Sequence, residues 1–254
     1  NFFISKINSP YEEIEYIIKN NDTVEKILKK YKIRDEDIKK ISLKLKEKKL
    51  ANIYSTNKPF PHIVLKNIWD DSQLSRVADE CESFASWDEE KKFFGSVGKR
   101  TCSTFSKLPP NTASLINFCH SPNFLKNLEV LTGEVGLIPD PYLYGGGIHS
   151  TLGNGFLKMH VDFDWHSGLH LRRRLNMLVY LNRDWCSSWG GALRLQHKNG
   201  GDSIEILPNF NKTVIFTTDG QSLHGHPDPM DLPGNRSRNS IALYYYVAEI
   251  SIDF

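Results

Sequence analysis

The chain has 254 residues, of which 39% are hydrophobic and 24% charged, a balance that can bury a sizeable core and excludes collagen, a coiled-coil rod or a disordered tail. Its 32 basic and 30 acidic residues leave a net charge of +2, so no global field recruits nucleic acid or membrane. The longest apolar stretch, Ile241 to Ala248, falls far short of the roughly 18 residues that a membrane-spanning helix needs.

From Ser9 to about Leu50 the periodicity is helical. Ser9-Pro10 followed by Glu12 and Glu13 reads as a helix start, and Asp22 with Glu25 as a second cap. Val24, Ile27, Leu28 and Tyr31 then form one apolar stripe, and a third helix starts near Asp35 and runs through Ile38, Ile41 and Leu45. Residues 1–50 hold 13 Lys and Arg against 9 Asp and Glu, so two readings stand: a small bundle with a solvated lysine face, or a basic helix-turn-helix. Pro61 to Leu65 reads as a strand and Asp71 to Ala85 as a helix. Two further helices are expected over Pro110–Cys119 and Ser121–Thr132, the latter ended by Gly133. After Pro139 come short β-rich runs punctuated by Gly, Asn, Asp and Pro: 142–150, 156–163, 171–181, 191–196, 203–207, 213–218 and 239–248. The pattern predicts an α+β chain: a double-stranded β-helix (jelly-roll) core with flanking helices over 51–254, preceded by an N-terminal helical segment over 1–50. Cys81, Cys102, Cys119 and Cys186 are scattered without a CxxC pair, and no leader segment is visible. Both features fit a reducing cytoplasm.

The chemistry lies in the β-rich part. In His160-Val161-Asp162, residues two apart on a strand would share a face and offer an imidazole and a carboxylate together. A third ligand must come from elsewhere, and Ser222-Leu-His224-Gly-His226 supplies two histidines, either of which could reach a metal. Two His and one carboxylate make the facial triad of non-haem iron oxygenases. Arg238, fourteen residues after His224, precedes an apolar run; a buried arginine there wants an anion, and its fork suits a carboxylate better than lysine does.

These residues carry a resemblance. His160-Val-Asp, Tyr180-Leu-Asn-Arg-Asp-Trp185, Gly190-Gly-Ala-Leu, His224-Gly-His-Pro-Asp-Pro and Arg238-Asn-Ser-Ile-Ala-Leu-Tyr-Tyr-Tyr246 resemble the 2-oxoglutarate/Fe(II) oxygenases of the prolyl 4-hydroxylase-like group, in its bacterial and phage form. The resemblance spans about residues 60–248, and residues 1–50 match no pattern. It implies Fe(II) held by His160, Asp162 and His224, and 2-oxoglutarate held by Arg238 with Tyr180 beside it. O₂ would be the cosubstrate and ascorbate a reductant. It favours His224 over His226 as the distal ligand, with His226 shaping the wall. His149, Phe163, Trp165, His166 and Arg173 are the candidates to meet a small-molecule or peptidyl substrate, although the Arg172-Arg173-Arg174 run reads first as a solvated rim. His62, His120 and His197 have no partner at ligand spacing. The implied activity is hydroxylation with release of succinate and CO₂. Two alternatives stay open: a metal-binding barrel without redox turnover, and an oxygenase acting on a nucleic-acid-bound partner through the basic helices.

Overall fold

Strand alternation and helix caps account for most of the architecture. The computed structural model describes residues 22–30, 35–93 and 95–248, so the helix start at Ser9-Pro10 and the stripe residue Tyr31 lie outside it. The chain divides into two compact units, Asn1–Lys46 and Glu47–Phe254. In the first, α1 (Val24–Lys30) begins where Thr23 Oγ1 takes the Lys26 amide at 3.2 Å, one residue after the Asp22 expected to cap it. Glu25 and Lys29 pair at 2.8 Å across one turn. The helix α2 (Asp35–Thr56) starts at the expected Asp35 and runs on without a break past residue 50.

The second unit holds β1 (His62–Lys66), α3 (Asp71–Glu82), β2 (Glu89–Phe93), β3 (Ser96–Cys102), α4 (Pro110–Cys119), α5 (Pro122–Thr132), β4 (Ile138–Pro139) and β5 (Gly147–His160). After these come β6 (Trp165–His166), β7 (Leu171–Tyr180), β8 (Leu193–His197), β9 (Ser203–Ile206), β10 (Lys212–Thr217), β11 (Ser222–His226) and β12 (Ser237–Ala248). The helices start on recognisable signals. Asp70 caps α3 through the Gln73 amide, Ser121 caps α5 ahead of Pro122, and Gly133 ends α5 in the left-handed conformation. No helix among the described residues is long and apolar enough to cross a membrane.

The strands curl into one antiparallel sheet of order β1-β10-β7-β12-β5-β11-β8-β9, with β2–β3 added on β5. This is the expected jelly roll with flanking helices. Alternation along β12 divides its two faces: Ile241, Leu243 and Tyr245 join the cluster that includes Leu74, Val77, Ile116 and Leu128 of the helices, while Ala242, Tyr244 and Tyr246 lie on the opposite, inner face. On β7, Met177 and Val179 face the helices, and Tyr180 packs inside with Leu193, Leu195, Val214 and Phe216.

Two expectations for the strands change. The runs expected as separate strands at 142–150 and 156–163 are one strand, β5, which begins only at Gly147 and ends at His160. Its Gly153-Asn154-Gly155 segment is a bulge rather than a turn: β3 pairs Val97 with Phe156 and Lys99 with Thr151, so the residues between bow out. Gly155 is required there because a Cβ would meet Val97 O at 2.8 Å. The second change is the hairpin β2–β3, which the sequence pattern did not predict.

Candidate active site

The site is built by β5, β7, β11 and β12, all in the second unit. The pairing of β11 with β5 sets His224 opposite His160, with ring centroids 4.5 Å apart. Gly225 lets the two backbones approach, since a Cβ there would lie 2.7 Å from the Leu157 and Lys158 carbonyl oxygens. Asp162 is not on the strand, as the two-residue spacing suggested, but in the irregular segment just past it. It still turns back to the histidines: its Oδ1 is 3.6 Å from His160 Nε2 and its Oδ2 is 3.2 Å from His224 Nε2.

The donor atoms of His160, Asp162 and His224 all lie within 4.8 Å of one another. Both imidazoles are oriented by their own strands. His160 Nδ1 donates to Lys158 O at 2.9 Å and His224 Nδ1 to Ser222 O at 3.3 Å. A carbonyl only accepts, so Nδ1 donates and Nε2 is the nitrogen turned to Asp162, the atom each ring would offer to a metal. The carboxylate oxygen Oδ2 is also fixed, accepting from Asn176 Nδ2 at 2.7 Å and pairing with Arg173 Nη2 at 3.0 Å. Burial alone would raise the Asp162 carboxyl; the His224 imidazole and the Arg173 guanidinium outweigh it and hold it well below the ordinary range. The arrangement fits a divalent metal with open positions, the two-histidine, one-carboxylate set.

His226 is not part of this cluster. The register shifts by one residue after His224, which sets His226 against Leu157, and the buried imidazole forms the chamber wall with Nδ1 unpartnered. Burial first, and then the charges of Arg238 and Lys99, hold it well below the ordinary histidine range, so it stays neutral.

The chamber encloses about 460 Å³. Arg238 lies in its wall, donating from Nε to Gly191 O at 2.7 Å and from Nη2 to Tyr180 Oη at 3.1 Å across the β12–β7 pair. No carboxylate pairs with it among the described residues. Tyr180 is fully buried; burial raises its phenol despite Arg238, so the hydroxyl keeps its proton and, accepting from Arg238, can donate onward. A buried guanidinium without an anion, next to a phenol donor, fits one end of a dicarboxylate.

The five expected substrate residues divide. His149, Phe163 and Arg173 line the chamber, whereas Trp165 and His166 do not. Trp165 is exposed against His170, and His166 is buried with Nδ1 accepting from the Leu169 amide. The arginine run divides too: Arg172 and Arg174 keep partly exposed side chains, as a solvated rim would, and Arg173 does not. Arg173 is buried on Asp162, Arg174 forks onto Glu134, and Arg172 pairs with Asp164. Sequence reasoning missed Asn176, although counting inward from Tyr180 by twos reaches it.

Residues 146–246 match the family model of the 2OG-Fe(II) oxygenase superfamily. Among solved structures, the chain is similar to a prolyl-4-hydroxylase from Pseudomonas putida (15% identity, TM-score 0.53, covering 80% of this chain and all of that one). It is also similar to a Trichoplax adhaerens prolyl hydroxylase solved with a hypoxia inducible factor peptide (16% identity, TM-score 0.57, covering 84% and 94%). A third is HygX from Streptomyces hygroscopicus with nickel and 2-oxoglutarate bound (13% identity, TM-score 0.53, covering 78% and 86%). No curated protein matches the chain by sequence.

Proposed function

We propose that this chain, whose residues 146–246 belong to the 2OG-Fe(II) oxygenase superfamily, hydroxylates a prolyl residue, a free amino acid or another small metabolite. It is a 2-oxoglutarate-dependent non-haem iron dioxygenase, and Fe(II) and 2-oxoglutarate are its cofactors. His160, Asp162 and His224 hold the iron in this reading, and Arg238 with Tyr180 holds the distal carboxylate of 2-oxoglutarate. Bound together with O₂, these two cofactors supply an oxidative decarboxylation, yielding succinate and CO₂, that is coupled to insertion of oxygen into a substrate C–H bond. The chain's own residues supply geometry. Lys158 O and Ser222 O aim the two Nε2 atoms, Asn176 and Arg173 fix one oxygen of Asp162, and Gly191 O holds the Arg238 fork in place. His149, Phe163 and Arg173 face the substrate.

The observation that carries the reading is a metal-ligand set sharing one chamber with a buried arginine that has no carboxylate partner among the described residues. A metal-binding barrel without turnover would have no use for that second feature. The reducing compartment remains part of the proposal, and all four cysteines are free thiols. The test is to load the protein anaerobically with Fe(II) and 2-oxoglutarate, admit O₂, and measure succinate with and without amino acids and peptides. Succinate release stimulated by one of them supports the reading; no 2-oxoglutarate consumption under any condition sinks it.

A further inference from the structure

We propose that Arg173 anchors a carboxylate on the substrate, so that the chamber takes a molecule with a free carboxylate rather than an internal residue of a neutral peptide segment. This rests on the dioxygenase reading above. Arg173 is 1% exposed, yet it lines the chamber. Its guanidinium lies 3.4 Å from the ring centre of Tyr244 and 4.8 Å from that of Phe163. Asn176 Oδ1 accepts from both Nε and Nη2, which fixes the plane of the fork, and Nη2 also meets Asp162. Nη1 has no hydrogen-bond partner among the described residues. A buried guanidinium nitrogen with unmet N–H groups is costly in a resting protein and is the form in which proteins present anion sites.

Charge balance points the same way. Among the described residues Asp162 is the sole acid in the chamber wall, whereas Lys99, Lys158, Arg173 and Arg238 line it, the two lysines having interactions of their own. A divalent iron would claim the Asp162 charge that Arg173 now shares. The two carboxylates of 2-oxoglutarate then answer the rest of the iron charge and Arg238. Arg173 is the cation left over, beside the metal ligands and facing the space where substrate must sit. Without the two lysines, a divalent iron, Asp162, 2-oxoglutarate, Arg238 and Arg173 sum to one positive charge, which a single carboxylate on the substrate would offset.

The test uses the full-length protein loaded with Co(II) and saturating 2-oxoglutarate, both followed by the cobalt d–d absorption. Acetate and its neutral counterpart acetamide are then titrated calorimetrically at constant ionic strength. Acetate should bind at least tenfold more tightly than acetamide. Arg173→Gln should weaken acetate tenfold or more, and Arg173→Lys by less; if the Gln variant fails to fold, the Lys variant decides. Equal binding of acetate and acetamide, no acetate binding, or acetate affinity unchanged in the variants overturns the proposal. So does a fall in 2-oxoglutarate affinity with acetate unaffected, which would make Arg173 a cosubstrate contact. A wild-type protein that binds neither Co(II) nor 2-oxoglutarate sinks the dioxygenase reading, and this one with it.

Discussion

His224 and His226 stand two apart on β11, and what separates them is the work of the second ring nitrogen. His224 donates Nδ1 to Ser222 O and presents Nε2 to Asp162, whereas the Nδ1 of His226 has no hydrogen-bond partner among the described residues. His224→Ala or His160→Ala should therefore abolish Co(II) binding and iron-dependent turnover with the circular dichroism of the barrel unchanged, while His226→Ala keeps the metal. Metal binding that survives in His224→Ala and disappears in His226→Ala would reverse the assignment. Arg238 makes a different kind of contact, a charged fork in a buried wall. Arg238→Ala should raise the 2-oxoglutarate concentration needed for half-saturation by a factor corresponding to about 2–5 kcal/mol, and Arg238→Lys should restore part of it. Tyr180→Phe removes one neutral hydrogen bond and should cost only about 0.5–1.5 kcal/mol. Unchanged 2-oxoglutarate affinity in Arg238→Ala would move the anchor elsewhere. Spacing and residue type pick out His160, Asp162 and Arg238, while Tyr180 and the choice of His224 over His226 rest on the family resemblance. Neither settles which way Arg173 faces. Its pairing with Tyr246 follows a bulge that skips Arg174, so strict alternation from Asn176 turns the wrong arginine inward.

At the level of elements, β11 and β5 depend on Gly225, and α4 depends on a side chain from α3. A methyl group at position 225 would press on the Leu157 and Lys158 carbonyls, so Gly225→Ala should force β11 away from β5 and separate His224 from His160. Metal affinity should fall at least tenfold while the melting transition stays cooperative; undiminished Co(II) binding would show that the strands can yield. The helix α4 has no cap of its own, because Pro109 offers none. Glu80 substitutes for it, accepting from the amides and side chains of both Asn111 and Thr112. Burial by itself would raise Glu80, but those four hydrogen bonds outweigh it and lower its pKa. A carboxylate lowered in the native state contributes its full stability above the ordinary glutamate value near 4.5 and loses it as pH falls through the native value. Glu80→Gln should thus lower the melting temperature at neutral pH, by about 1–3 kcal/mol of stability, and shrink the gap to wild type below about pH 4. A constant gap across that range would mean that the charge contributes nothing. The starts of α3 and α5 and the Gly133 stop are local and were legible as sequence. The hairpin β2–β3 was not, since Glu89-Glu-Lys-Lys shows no alternation, and its partner is fixed by β5, far along the chain.

The whole barrel is arranged so that the metal cluster is balanced without metal. The large apolar cluster between the helices and the outer faces of β7 and β12 does not involve the ligands, and Asp162 already has Arg173 and Asn176 as partners. This differs from small zinc domains, in which metal binding and folding are one event. Treatment with a chelator should leave a folded protein with one cooperative transition in the second unit. Ligands that bind only the native state then add their own stabilisation, about 2.7 kcal/mol for each at one hundred times its dissociation constant. For a domain of this size that corresponds to roughly 5–10 °C in melting temperature per ligand. Co(II), which avoids turnover, should give the first increment and 2-oxoglutarate a second that appears only with metal present. Arg238→Ala should keep the first and lose most of the second, whereas His160→Ala should lose both. Differential scanning calorimetry of the three proteins under argon reads all of these values. A second increment that persists in Arg238→Ala would show that 2-oxoglutarate is held by the metal alone, and an unfolded wild-type protein after chelation would show that the cluster, not the core, holds the barrel together.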